Sequence, residues 1–230
     1  MSLLICLTVY KRNNLELQLK AVEGKSKYLV VFQNEHHVDI EHLKEKYKFI
    51  HVKNDFNTKF FGRFSYCLNF DVDYCMIFDD DLIPGSRCVE NYLNQCKSLG
   101  GIIGGNGRFC FDNPSYKSIR VNDTGRRETA VEVDFVGHLW CFRKEWLYHM
   151  FSIKPYTLET GEDMHLCFTS KVLGGIKCYV GKQVSLDEEC DTTQNRLSSD
   201  QFASFKKTPP ELRNSIQLKF IKDYNLKYVI

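Results

Sequence analysis

No Cys-x-x-Cys pair occurs in this 230-residue chain, although it carries ten cysteines. That absence speaks against a structural zinc site. A disulfide framework is disfavoured by position. Cys6, Cys67, Cys75, Cys141, Cys167 and Cys178 fall inside apolar runs, where a free cysteine behaves as a small hydrophobe. No stretch approaches the roughly 20 apolar residues of a membrane span. The apolar start, Leu3 to Leu7, is too short for a signal peptide before Lys11 and Arg12 arrive. There is no long Lys/Arg run and no RNA-binding signature, and the net charge of +2 gives no global argument for nucleic acid or a membrane surface. These absences lead us to expect a reduced, soluble, cytoplasmic protein with no nucleic-acid partner and no transmembrane segment.

What is present is ample for a packed core, with 43% hydrophobic and 13% aromatic residues in a length suited to one large domain or two small ones. Strands and helices alternate from the first residues. Leu3 to Tyr10 reads as a strand, Leu15 to Val22 as a helix and Tyr28 to Phe32 as a strand. Ile40 to Tyr47 reads as a helix, Phe49 to Val52 as a strand, Arg63 to Phe70 as a helix and Tyr74 to Phe78 as a strand. This alternation predicts an α/β fold with a mixed, mostly parallel central sheet flanked by helices. Ligands in such folds bind beyond the carboxyl ends of the strands. Tyr10 to Asn13, Asn34, Asn54 to Arg63 and the acids after Phe78 all fall at such ends, so one cleft is expected to gather them.

Those acids are Asp79, Asp80 and Asp81, directly after the apolar Tyr74-Cys75-Met76-Ile77-Phe78 and before Leu82-Ile83-Pro84-Gly85. Three adjacent carboxylates repel one another and are costly to bury uncompensated. A divalent cation such as Mg²⁺ or Mn²⁺, which favours hard oxygen ligands, removes both costs. The plain alternative is a solvated acidic turn.

The second half changes character. Glu90 to Leu99 reads as a helix, Gly101 to Gly107 and Tyr116 to Val121 as strands, Glu132 to Val136 as a strand and Arg143 to Phe151 as a helix. Glu162 to Leu173 is a further helix stopped at Gly174-Gly175, and Lys177 to Val180 a last strand. Asp187 to Asp200 is polar and loop-like. Thr208-Pro209-Pro210-Glu211 then has the form of a capping box opening a helix that carries Leu212, Ile216 and Phe220 on one side. A second acidic pair, Glu162-Asp163, follows Thr160-Gly161 at a helix start. Simple capping explains such a pair, since carboxylates are favoured there. A carboxylate near an activated phosphate ester can also deprotonate a hydroxyl.

At this point the chain resembles a known family. A strand ending in Phe78-Asp79-Asp80-Asp81-Leu82 is similar to the DxD motif of GT-A-fold nucleotide-sugar glycosyltransferases. Gly161-Glu162-Asp163-Met164-His165-Leu166, followed by Leu173-Gly174-Gly175-Ile176-Lys177, is similar to the xED motif of that superfamily and its succeeding strand. Val133-Asp134-Phe135-Val136-Gly137 and Trp140 resemble the acceptor-side strand. The resemblance covers residues 3 to 182 in order and spacing. In scale the chain is similar to small soluble enzymes of this type in large DNA viruses such as the chlorella viruses.

The resemblance implies a catalytic domain over 1–185, with a nucleotide-binding half to about residue 100 and an acceptor half beyond it. Residues 186–230 would supply a polar loop and a helix packing back. It implies a UDP-sugar donor, a hexose or deoxyhexose moved to a hydroxyl of a glycan or glycoprotein, and Mn²⁺ or Mg²⁺ as cofactor. A larger multidomain protein around this chain is compatible with it. Asp81 would bind the metal, with Asp79 sharing it or holding the ribose and Asp80 supporting either role. Tyr10 and Arg12 would touch the base, Asn34 the donor, and Arg63 the diphosphate through bidentate hydrogen bonds, unless it is a surface charge. Asp163 would be the catalytic base, with Glu162 second. Asp134, His138 and Trp140 would line the acceptor site, core packing being the plain alternative for Trp140. One departure stands out. Several family members supply a metal-binding histidine after the xED region, whereas the last histidine here is His165. The metal would then rest on the aspartates and the nucleotide, with the Asp187-Glu188-Glu189 cluster as another source of ligands.

Two other enzyme classes and a binding module compete. A haloacid-dehalogenase-like Mg²⁺ phosphatase also uses an Asp-x-Asp, but places its nucleophile on the first strand. A nucleotidyltransferase wants a glycine-rich loop after the first strand, and Tyr10-Lys11-Arg12-Asn13-Asn14 offers none. A non-catalytic nucleotide-sugar-binding module would differ only in lacking a working Asp163.

Overall fold

All seven residues of the first strand are buried, which is the signature of a central strand covered on both faces. The computed structural model describes residues 1–35, 37–111, 119–121, 127–185, 201–202 and 206–229. Its strands are β1 (Leu3–Val9), β2 (Tyr28–Asn34), β3 (Ile50–Asn54), β4 (Tyr74–Phe78), β5 (Ile102–Phe109), β6 (Ile119–Val121), β7 (Val131–Val133), β8 (Phe135–Arg143) and β9 (Cys178–Val180). Its α-helices are α1 (Leu15–Val22), α2 (Gly62–Cys67), α3 (Cys88–Leu99), α4 (Trp146–Ser152), α5 (Glu162–Gly174) and α6 (Pro210–Tyr224).

The strands form one mixed sheet in the order β3-β2-β1-β4-β8-β5-β9-β7, with β6 paired to the far end of β5. Among the described residues β1–β5 and β9 run one way and β6, β7 and β8 the other. The α/β class and the mostly parallel sheet are therefore as expected. β1 pairs in parallel with β2 on one side and β4 on the other, so their carboxyl ends open together. No disulfide joins the cysteines among the described residues, where all nine are buried. Among those residues no helix is long and apolar enough to cross a membrane.

Helix α5 has an unusual burial pattern. Glu162 through Ser170 are all buried, because the helix packs on β8 and α4 and is covered in turn by α6. Phe220 of α6 meets Phe168 at 5.3 Å and His165 at 5.7 Å between ring centroids. Beyond α6, the Val229 N–H donates to Asp134 Oδ1 at 2.9 Å.

Three elements differ from expectation. Ile40 to Tyr47 forms only a 3₁₀ turn at Glu41–Leu43, although Ile40, Leu43 and Tyr47 are buried at helical spacing. Its hydrogen bonds are mostly of the tighter i→i+3 kind that marks short 3₁₀ connectors. The strand expected over Glu132 to Val136 is two strands broken at Asp134, whose carboxylate turns inward onto the Cys110 and Val229 N–H groups. The helix expected from Arg143 starts at Trp146, because β8 runs on to Arg143. Residues 116–118 of the strand expected over 116–121, the loop expected over 187–200 and the Asp187-Glu188-Glu189 cluster lie outside the described residues.

Candidate active site

Three parallel strand ends set the floor of a cavity of about 630 Å³. β1 delivers Thr8, Tyr10 and Arg12, β2 delivers Asn34, and β4 delivers Asp79, Asp80 and Asp81. The opposite wall carries His138 and Trp140 of β8 and Glu162 and Asp163 from the first turn of α5. The expected site residues thus share one cavity, with one exception. Asp134 does not line it. Asp134 is 1% exposed, its Oδ2 accepts the Cys110 N–H at 2.8 Å, and Lys171 Nζ stands 3.5 Å from Oδ1. This carboxylate ties the chain terminus to the sheet.

The aspartate triplet is held from below by α1. Gln18 Nε2 donates to the Asp79 and Leu82 carbonyls, both at 2.8 Å, and Asn14 Nδ2 donates to the Asp80 carbonyl at 3.0 Å. Gln18 sits among Leu15, Leu19 and Val22 on the buried face of α1, a polar residue on an apolar stripe. That placement is the one signal in the sequence that could have revealed it. From the side, the Asp79 N–H donates to the His138 carbonyl at 3.0 Å. His138 stands at φ 68, in the left-handed region that non-glycine residues rarely adopt. The cause is a bulge. Against β5, Gly104 faces Trp140 but Asn106 faces Gly137, so β8 carries one extra residue at His138–Leu139.

Arginines bind the carboxylates into one network. Arg12 Nη1 donates to Asp80 Oδ1 at 2.5 Å. Arg63 of α2 is 3% exposed and donates through Nη1 to Thr8 Oγ1 at 3.1 Å and to Asp79 Oδ1. Its Nη2 reaches Glu162 Oε1 at 3.2 Å, and the guanidinium lies 4.8 Å from the Trp140 ring centre. Arg213 of α6 donates to Asp163 Oδ2 at 2.5 Å, while Asp163 Oδ1 accepts the Met164 N–H at 2.8 Å. Arg12 and Arg63, read as contacts to base and diphosphate, are thus engaged with carboxylates. Asn34 is committed as well. Its Oδ1 accepts from Thr58 Oγ1 at 2.7 Å, and its Nδ2 donates to the Lys59 carbonyl at 3.0 Å, which shapes the loop before α2. Trp140 is buried, with Nε1 donating to the Val136 carbonyl at 2.9 Å, and it lines the cavity from within the core. Tyr10 stacks edge-on against His37 at the rim.

These surroundings tune the acids. Burial raises the Glu162 carboxyl to about 7. Neighbouring Asp163 pushes the same way, and Arg63 and Arg213 only partly offset them. Burial raises Asp80 to about 6. Arg12 opposes this, while Asp81 and Asp79 add to it. For Arg63, burial alone would lower the pKa, but Asp79 and Glu162 outweigh it and keep the guanidinium charged.

The donor set suits the implied metal in chemistry but not in number. The oxygens are of the right hard type, and the buried Asp80 Oδ2 has no hydrogen-bond partner among the described residues. Among those residues no group of three or more His, Cys, Asp or Glu side chains converges as a metal cage. His165 is no substitute, because it does not line the cavity and its Nε2 hydrogen-bonds the Met150 and Ile153 carbonyls at 2.9 and 3.0 Å. A cation fits here only if a bound ligand supplies further oxygens.

Sequence reasoning missed part of the wall. Asn106 and Arg108 of β5, Lys207, and Leu212 and Arg213 of α6 also line the cavity. Arg213 in particular lies 50 residues from the carboxylate it pairs with.

No protein-family model and no curated protein matches the chain. Solved structures do. A crystal structure of S. aureus TarS 1–349 in complex with UDP-GlcNAc aligns over 99% of this chain and 68% of that one, at 14% identity and a TM-score of 0.60. A second TarS 1–349 structure aligns over 79% of this chain and 60% of that one, at 14% identity and a TM-score of 0.55. The structure of CMP:2-keto-3-deoxy-manno-octonic acid synthetase complexed with CTP aligns over 84% and 94% of the two chains, at 11% identity and a TM-score of 0.51. The chain therefore spans 60 to 68% of the TarS fragment. At such identities the likeness establishes the fold, and that fold is GT-A-like.

Proposed function

We propose that this chain is a metal-dependent glycosyltransferase that moves a sugar from a UDP-sugar to a hydroxyl acceptor. The observation that carries the reading is the meeting, in one cavity, of the triplet Asp79–Asp81 and the pair Glu162–Asp163, from opposite sides of a parallel strand edge. The likeness to TarS in complex with UDP-GlcNAc supports a nucleotide-sugar donor.

In this reading Asp81 and Asp79 would hold the cation together with oxygens of the donor diphosphate, and a cation there would supply Lewis-acid stabilisation of the departing phosphate. Tyr10 at the rim faces the nucleotide, and His138, fixed by the bulge, faces the acceptor. Asp163 takes the proton of the acceptor hydroxyl as its oxygen bonds the anomeric carbon. The nucleoside diphosphate leaves with the electron pair of the broken C–O bond. Glu162, raised toward neutrality by burial, stays beside this step as the second carboxyl. Arg63 keeps the two acidic groups at fixed separation. The phosphatase reading lacks an acid at the end of β1, where Tyr10 and Arg12 stand.

Calorimetric titration with UDP, GDP, CMP and CTP, with and without Mn²⁺, tests the proposal. UDP binding that strengthens with Mn²⁺ supports it. Absence of any metal-dependent nucleotide binding overturns it, and preference for CTP moves the chain to nucleotidyl transfer.

A further inference from the structure

We propose that Arg213 is a positioning residue for Asp163, so that helix α6 completes the proton-accepting half of the site. The inference rests on the glycosyl-transfer reading above and extends it to a segment outside residues 1–185.

Glu162 and Asp163 are adjacent, both under 10% exposed, and two buried like charges need two counter-charges. Arg63 serves Glu162 from α2. Asp163 receives its cation from α6, where Arg213 Nη2 meets Oδ2 at 2.5 Å. The closeness of that carboxylate is the main cause that raises the Arg213 pKa against burial.

Four residues on one face of α6, at i, i+3, i+4 and i+7, address the start of α5. Arg213 meets Asp163, and Ile216 lies against the α-carbon of Gly161. Gln217 Nε2 reaches Met164 Sδ at 3.7 Å, and Phe220 packs on Phe168 and His165. Gly161 sits at φ 83, and a Cβ there would strike Ile216 Cδ1, so the two helices approach as closely as glycine permits. Arg213 is thus delivered by a docked helix and not by a loose tail. Each carboxylate oxygen has two acceptor positions. Oδ2 spends one on Arg213 and Oδ1 one on the Met164 N–H, so the group is clamped yet keeps capacity for a hydroxyl proton on the cavity side.

The test uses donor hydrolysis, in which water takes the place of the unidentified acceptor. The water oxygen bonds the anomeric carbon, its proton passes to Asp163, and UDP leaves with the electron pair. UDP release from a panel of UDP-sugars is measured with Mn²⁺ for the wild-type chain, Arg213→Met, Arg213→Lys and Arg213→Ala. We expect Arg213→Met to lower kcat about 100-fold, with donor KM and UDP affinity changed by no more than about twofold. Arg213→Lys should recover part of the rate, and guanidinium added to Arg213→Ala should restore it. Thermal melting identifies a variant that fails to fold, in which case Arg213→Lys and the guanidinium rescue decide. A full rate in Arg213→Met overturns this inference alone, as does loss that neither lysine nor guanidinium repairs. A wild-type chain that neither binds UDP nor releases it overturns the transferase reading and this inference together.

Discussion

Arg63 and Glu162 meet at 3.2 Å across the cavity floor, and the same guanidinium holds Asp79 with its other nitrogen. An arginine on α2 therefore bridges Asp79 after β4, 16 residues along the chain, and Glu162 at the start of α5, 99 residues along it. With 3% exposure it is a buried charge, and its partner Glu162 is buried with it, while Asp79 keeps a quarter of its side chain exposed to the cavity. Removing it leaves two carboxylates uncompensated.

Arg63→Met is accordingly expected to destabilise the fold by about 3–5 kcal/mol, the usual effect of breaking a buried ion pair from one side. Urea unfolding measures this, and the melting temperature should fall by roughly 10 °C. A loss below about 1 kcal/mol would show that the pairs are not made in solution.

The raised Glu162 carboxyl gives stability a definite pH dependence. An ordinary glutamate titrates at 4.5 and this one at about 7, so between those values the folded chain holds a proton that the unfolded chain has lost. Its contribution is full below pH 4.5 and is lost as pH rises through 7, with a slope of up to about 1.4 kcal/mol per unit. Denaturant midpoints from pH 4.5 to 7.5 should show that decline, and Glu162→Gln should remove the part between pH 6 and 7.5, leaving below it the share of Asp80, which burial raises to about 6. A wild-type midpoint that rises over the window contradicts the assignment.

Asp163→Asn removes the proposed base while keeping a hydrogen-bonding side chain for Arg213. Transfer or donor hydrolysis should drop by about 10²–10⁴-fold, the range for loss of a general base. Nucleotide affinity by calorimetry should stay near the wild-type value. Loss of binding in its place would move Asp163 to the donor side of the cavity.

Much of this arrangement was legible before folding was considered. The bounds of α1 and β4 and the convergence of Tyr10, Asn34 and Asp79–Asp81 follow from strand ends and turn signals, whereas the place of Glu162–Asp163 in the same cavity was implied only by the family resemblance. What the sequence does not carry is pairing over distance. Nothing local says that Arg63 answers Glu162, or that Arg213 answers Asp163, because each arginine reads equally well as a surface helix charge. The β8 bulge is hidden for a different reason. Gly137-His138 interrupts the β-pattern, so the strand looked finished at Val136, while pairing with β4 and β5 carries it to Arg143. Asp134 misleads because an acid beside a cavity wall and an acid capping two N–H groups have the same local sequence.

Gln18 offers the last test, because it links a helix with no cavity-lining role to the aspartate loop. Its Nε2 holds the Asp79 and Leu82 carbonyls at 2.8 Å, and the side chain is 1% exposed. Gln18→Leu preserves the apolar stripe of α1 but leaves those carbonyls without this donor. Unsatisfied buried groups of this kind cost about 1–3 kcal/mol. The larger effect should be on Mn²⁺-dependent UDP binding, since the carbonyls that Gln18 holds set the direction of Asp79 and the residues after it. We expect affinity to fall about tenfold, equal to 1.4 kcal/mol, in addition to the stability loss. Calorimetry on the folded variant separates the two. Unchanged affinity would mean that the loop keeps its shape through Asn14 and the His138 carbonyl alone.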